Sequence, residues 1–138
     1  MIYSLFYLNM INAVVIDDEQ ESVTSLTWDL DKYKALLTIS NTFIDPYKAI
    51  EYLKIKAIDL VFLDIEMPTM DGFEFLEHFV DRDFEVVFVT AYDQYAIEAI
   101  KSNAFDYILK PVDQNELDDV IKKTNNKIQK NSINDHLD

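Results

Sequence analysis

The sequence predicts an α/β fold of doubly wound (βα)5 type, a five-stranded parallel sheet with helices on both faces. Three observations predict it. Short β-rich runs alternate five times with longer amphipathic stretches. The third and fourth runs, AIDLVFL and EVVFVT, are almost wholly apolar, as strands covered on both faces are. Charged and hydroxyl residues stand immediately after the runs, at the carboxyl ends where such sheets bind their ligands. A length of 138 residues suits one domain.

INAVVI, Ile11 to Ile16, reads as the first strand. From Glu19 to about Lys34, Val23, Leu26, Leu30 and Tyr33 recur at helical spacing and give one inward face. LLTISNTF is the second strand. Asp45 followed by Pro46 then opens the second helix with a carboxylate cap and a proline in the first turn. AIDLVFL is the third strand, and a helix spanning about Gly72 to Asp81 follows its loop. EVVFVT, YDQYAIEAIKSN and AFDYIL form the fourth strand, fourth helix and fifth strand. A last amphipathic helix starts near Asp113 and carries Leu117, Val120, Ile121 and Ile128. Residues 1–9 read as an N-terminal extension, 10–130 as the domain, and 131–138 as a polar tail expected to fray.

Composition narrows the function classes. Hydrophobic residues at 49% and aromatics at 13% supply a real core, so a net charge of −14 does not signal disorder. With 12 Lys+Arg against 26 Asp+Glu, the chain is unsuited to grip nucleic acid or anionic lipid directly. The absence of cysteine excludes thiolate metal sites and cysteine nucleophiles, and fits a cytoplasmic location. The apolar opening MIYSLFYLNMINAVVI has no basic leader and no small-residue cleavage site, and has too many polar interruptions to span a bilayer.

The strand ends carry the chemistry. Strand one runs into Asp17, Asp18 and Glu19, strand three ends at Asp64, strand four at Thr90, and strand five at Lys110. With neighbouring strands about 4.8 Å apart, these tips converge on one pocket. Each residue has an ordinary reading alone: a helix cap for Asp17 or Asp18, a turn for Asp64, a strand end for Thr90 or Lys110. Their joint occurrence on one side of a sheet is the signal. Three adjacent carboxylates repel one another unless a cation joins them, and Mg²⁺ with oxygen ligands fits best.

The motifs VVIDDE, LVFLDIEMPTMDG, VVFVTAY and DYILKP, in that order, resemble the receiver domains of two-component response regulators over residues 11–130. The resemblance implies the flavodoxin-like strand order 2-1-3-4-5. It implies that Asp64 is the phosphoacceptor, taking its phosphoryl group from a sensor histidine kinase. Asp18 would then bind Mg²⁺ directly, Asp17 through a water, and Glu66 through its backbone carbonyl. Thr90 and Lys110 would bind phosphoryl oxygens, and small Ala91 would leave room for them. Tyr107 would swing inward with Thr90 as the switch aromatic, while Glu66 and Tyr92 would tune phosphate lifetime. Pro68 and Gly72 would shape the loop, Gly72 by backbone freedom, and the Lys110–Pro111 peptide would be cis. Such a domain modifies itself and is no turnover enzyme.

VTAYDQYAIEAIKSNAFDYILKP further resembles receivers joined to LytTR-type DNA-binding output domains. The tail would then begin a linker to an output domain, with transcription as the output. Homodimerisation through the fourth helix, fifth strand and fifth helix would accompany it. The chain is either a receiver cut from a longer regulator or a stand-alone receiver.

Other readings compete. A Mg²⁺-dependent phosphohydrolase would use Glu66 as its second acid, but would need a substrate cap. An FMN carrier would need a phosphate-cradling loop where DDEQE stands. A degenerate receiver would lack some of these residues, and none is lacking. His78 and His136 are expected as surface histidines, and Trp28, off the apolar stripe of the first helix, as a partly buried one.

Overall fold

The computed structural model describes residues 9–137, and side chains over 9–131. Residues 1–8 of the expected extension over 1–9 and the side chain of His136 lie outside them. Five parallel strands form one sheet in the order β2-β1-β3-β4-β5, as the resemblance implies. They are β1 (Ile11–Ile16), β2 (Leu37–Phe43), β3 (Leu60–Leu63), β4 (Glu85–Thr90) and β5 (Asp106–Leu109). The helices between and after them are α1 (Gln20–Leu30), α2 (Pro46–Ile55), α3 (Gly72–Leu76), α4 (Ala96–Lys101) and α5 (Gln114–Leu137).

Side chains alternate across a strand, so each inner strand feeds two cores. Ile11, Ala13 and Val15 of β1 join Leu60, Phe62, Val87 and Val89 beneath α1 and α5, packed on Leu26, Leu30, Leu117 and Ile121. Val14 and Ile16 join Val61, Leu63, Val86 and Phe88 on the opposite face, with Ala49, Leu53, Phe75 and Ala99 of α2, α3 and α4. Double coverage explains why these runs show no polar alternation.

Local chemistry sets several boundaries. The Asp45 carboxylate accepts the Tyr47 N–H at 2.9 Å, and Pro46 occupies the first turn of α2, as expected. At α3, Asp71 accepts from the Glu74 N–H at 2.8 Å, and Glu74 accepts from the Asp71 N–H at 3.3 Å. This is a reciprocal capping box.

Several expectations shift. The first helix, expected to about Lys34, ends at Leu30 and hands over to a 3-10 turn across Asp31–Tyr33. The helix predicted over Gly72–Asp81 closes at Leu76, because the following N–H groups turn to i−3 carbonyls: His78 to Phe75 and Phe79 to Leu76. The fourth helix shrinks from Tyr92–Asn103 to Ala96–Lys101, its entrance taken up by bonds described below. α5 continues through Leu137, so the backbone of the expected fraying tail is helical to that point. Trp28 is 78% exposed rather than partly buried. At 100° per residue, it stands about 200° from Leu26 on α1, away from the buried Val23, Leu26 and Leu30. His78 is exposed, as expected.

Candidate functional site

The site is built where the ladder of the sheet runs one residue past its strands. The Asp17 N–H donates to the Phe43 carbonyl at 3.0 Å, and the Asp64 N–H to the Ile16 carbonyl at 3.0 Å. The Lys110 N–H donates to the Thr90 carbonyl at 2.8 Å. Three chemically active side chains thereby sit on backbone as firmly paired as the strands. A cavity of about 240 Å³ opens there, lined by Asp17, Asp64, Lys110 and Ser22 among others.

Asp17, Asp18 and Asp64 each offer a carboxylate oxygen, and these oxygens lie within 4.8 Å of one another. Asp17 and Asp64 are buried, and Asp18 is half-buried. Lys110 Nζ lies 2.7 Å from Asp17 Oδ2 and 3.7 Å from Asp64 Oδ2, and donates to Ser22 Oγ at 3.2 Å. Asp17 Oδ1 also accepts the Glu19 N–H at 3.0 Å. Glu19, with no side-chain bond, is the N-cap of α1, so neither Asp17 nor Asp18 caps that helix. Asp18 makes no hydrogen bond or ion pair among the described residues.

Burial, followed by the charge of Asp17, pushes the Asp64 carboxyl up to about 6, against the opposing pull of Lys110, the Ile65 N–H and Thr90. The Ile65 N–H holds Asp64 Oδ1 at 2.8 Å. Burial works against the Lys110 ammonium, yet its bond to Asp17 and the charge of Asp64 outweigh it and raise its pKa. Thr90 is fully buried, and its Oγ1 is the single buried side-chain polar atom among the described residues without a hydrogen-bond partner. It is near enough to Asp64 to draw that carboxyl's pKa down as a donor does, although no acceptor meets hydrogen-bond geometry at Oγ1. A buried hydroxyl left unpaired is costly, and native folds keep few of them.

The profile of the response regulator receiver domain matches residues 13–122. The chain belongs to that family. An uncharacterized response regulatory protein of Vibrio parahaemolyticus is 42% identical to this receiver, covering 93% of it and 53% of the relative. The transcriptional regulatory protein YpdB of Escherichia coli is 32% identical, covering 80% of the chain and 46% of the relative. The receiver thus spans about half the length of these curated relatives. The response regulatory domain of protein mrkE from Klebsiella pneumoniae superposes with a TM-score of 0.77 at 27% identity, over 87% of this chain and 99% of that one.

The fold brings Asp17, Asp18, Asp64, Thr90 and Lys110 of the receiver together. Ala91, Pro68 and Pro111 lie exposed around the pocket, and the Lys110–Pro111 peptide is cis. Gly72 is a correction. Its φ is not positive, so backbone freedom is not its role. Instead, a Cβ there would lie 2.7 Å from the Asp64 carbonyl oxygen, 3.1 Å from Phe88 Cε1 and 3.2 Å from Ile65 Cα. The chain's one glycine is the floor beneath Asp64.

The Glu66 carboxylate is not one of the clustered oxygens of the three aspartates, and it has a partner of its own. Tyr95, at the entrance of α4, donates its hydroxyl to Glu66 Oε2 at 3.0 Å. That bond, the largest of several causes, holds the Tyr95 phenol above its ordinary pKa. Tyr107 is half-buried near Phe88, and its hydroxyl bonds to the Tyr92 carbonyl. Sequence reasoning missed Tyr95 and Ser22, since neither lies at a strand end. The Asp71–Glu74 box was available as an acid followed three residues later by Glu.

Proposed function

We propose that this receiver is a phosphorylation switch in which Asp64 takes a phosphoryl group from a phosphohistidine of a sensor histidine kinase. The observation that carries it is the unpaired, buried Thr90 hydroxyl beside Asp64 and Lys110. It is a donor beside Asp64 with no acceptor in good geometry, placed to meet an incoming phosphoryl oxygen.

In the reaction, a carboxylate oxygen of Asp64 attacks phosphorus, the P–N bond breaks, and the kinase imidazole keeps the electron pair. Asp64 must be ionised to attack, and with a pKa of about 6 most of it is ionised at pH 7. The Ile65 N–H fixes the direction of the carboxylate. Lys110 shifts from Asp17 toward the phosphoryl oxygens, and Thr90 rotates its hydroxyl to meet another. The three-carboxylate cluster suits a hard divalent cation, and Asp17, Asp18, Asp64 and the Glu66 carbonyl are the groups that would hold Mg²⁺. When bound, Mg²⁺ would neutralise negative charge gathering around phosphorus.

Movement of Thr90 then releases Tyr107 from the Tyr92 carbonyl and shifts α4, a pre-existing equilibrium biased by the phosphoryl group. Ile97, Ile100 and Leu109 are exposed on α4 and β5, which supports contact with a second copy or an output domain. The half-length match to relatives that include a transcriptional regulator supports an output domain beyond residue 130, of LytTR type by sequence likeness. Exposed Trp28 on α1 supports a kinase-docking role for that helix. The chain has no helix among the described residues long and apolar enough to cross a membrane.

A small phosphodonor with Mg²⁺ tests the proposal. Wild-type protein should gain acid-labile phosphate, and Asp64→Asn should gain none. Equal labelling of the two would overturn the assignment, and steady turnover of an external phosphate ester would favour a phosphohydrolase.

A further inference from the structure

Glu66 and Tyr95 come from loops 29 residues apart, yet their 3.0 Å hydrogen bond closes one wall of a groove that Asp18 and Tyr92 also line. Tyr95 is itself fixed. Its ring lies 6.1 Å from that of Phe73 and 6.4 Å from that of Tyr92, the second pair edge-on. Phe73 in turn lies 5.1 Å from Phe88, a fully buried residue of β4. The hydroxyl that holds Glu66 is thus braced through two rings to the core, and a braced donor loses little entropy on bonding. Glu66 stands two residues after Asp64 and is otherwise exposed, with no second partner among the described residues.

We propose that Tyr95 is a positioning residue that holds the Glu66 carboxylate away from the phosphoryl group and so prolongs its lifetime on Asp64. The inference rests on the phosphoacceptor reading above. Hydrolysis of the aspartyl phosphate requires a water oxygen to bond to phosphorus as the P–O bond to Asp64 breaks. Asp64 recovers its carboxylate, and inorganic phosphate leaves. The attacking water must lose a proton, and a carboxylate free to turn inward from position 66 would accept it and pass it to solvent. Held at Oε2 by Tyr95, Glu66 is kept from that task. Because Tyr95 also stands at the entrance of α4, displacement of that helix would loosen the hold and hasten the return to the unphosphorylated state.

The test is a set of decay measurements on the 138-residue chain. The protein is phosphorylated with acetyl phosphate and Mg²⁺, the donor is removed, and loss of phosphoryl is followed by intact mass. Tyr95→Phe keeps the ring and deletes only the donor, and should shorten the lifetime about threefold to tenfold, the release expected from losing one ordinary hydrogen bond. In a Glu66→Gln background, which lacks the basic carboxylate, the same Tyr95→Phe change should produce no acceleration. A merely structural role for Tyr95 would give the same acceleration in both backgrounds, and that result overturns the inference. So does a Tyr95→Phe lifetime equal to wild type. If wild-type protein takes no phosphoryl group, the phosphoacceptor reading fails along with it, an outcome visible before any variant is compared.

Discussion

Gly72→Ala is expected to destabilise the receiver by about 2–3 kcal/mol and to slow its phosphorylation. Two effects oppose each other. Alanine in a helix gains up to ~1 kcal/mol over glycine, and less at the first position of a short helix. Against this, the added Cβ would lie 2.7 Å from the Asp64 carbonyl oxygen, a backbone atom that cannot rotate aside. That carbonyl belongs to a residue tied to Ile16, and Gly72 is itself tied by its N–H to the Ile65 carbonyl at 2.8 Å. Relief on the other side is closed by Phe88 Cε1 at 3.1 Å. Overpacking against paired backbone therefore wins, and the strain falls on the peptide that carries the nucleophile. Urea unfolding measures the first effect and labelling by acetyl phosphate the second. A variant as stable as wild type would refute the close-packing role.

Asp64→Asn should have the opposite effect on stability, and only above acidic pH. The Asp64 pKa is raised to about 6, first by burial and then by Asp17. A carboxyl whose folded pKa exceeds its unfolded value near 3.9 binds its proton more tightly when folded. Below about pH 4 it is protonated in both states and costs the fold nothing, and stability is lost as pH rises from about 4 to 6 and stays lowered by a constant amount above that. A shift of this size corresponds to about 3 kcal/mol. The raised pKa already sets the attraction of Lys110 against burial and Asp17, so asparagine, which removes the charge, should gain up to about 3 kcal/mol. Without Mg²⁺, Asp64→Asn should therefore exceed wild type in stability at pH 7.5 and match it near pH 4. Millimolar Mg²⁺ should raise the melting temperature of wild type at low salt and narrow the gap, because it binds the folded state alone. Urea unfolding at the two pH values, with chelator or Mg²⁺, measures both effects. A gap independent of pH would mean that burial does not strain Asp64.

The residues that were legible in the sequence share one property. Asp17, Asp18, Asp64, Thr90 and Lys110 each stand at a strand end, and parallel topology alone converts that into proximity. The strands were legible for the same reason, since burial on both faces writes an uninterrupted apolar run. What escaped depends on distances between loops. Gly72 invited an explanation from backbone freedom, but its neighbour in space is a carbonyl eight residues back, and its φ is ordinary. Tyr95 looked like one more aromatic in an amphipathic stretch, because its bond to Glu66 crosses 29 residues. α4 was overestimated because Tyr92 and Tyr95 continue its helical pattern. The Tyr92 carbonyl is instead taken by the Tyr107 hydroxyl, and the helix begins only after Tyr95. Trp28 misled through composition: a large aromatic is usually sheltered, but the geometry of α1 turns this one outward.

The central claim is that the pocket exists to make Asp64 a covalent phosphoryl acceptor, and locating the bond tests it most directly. Protein phosphorylated by acetyl phosphate with Mg²⁺ is treated with borohydride, which reduces an aspartyl phosphate to homoserine, and is then mapped by peptide mass spectrometry. The account predicts homoserine at position 64 and aspartate retained at positions 17 and 18. Homoserine at 17 or 18, or unaltered aspartate at 64 in a protein that carries phosphate, would contradict it.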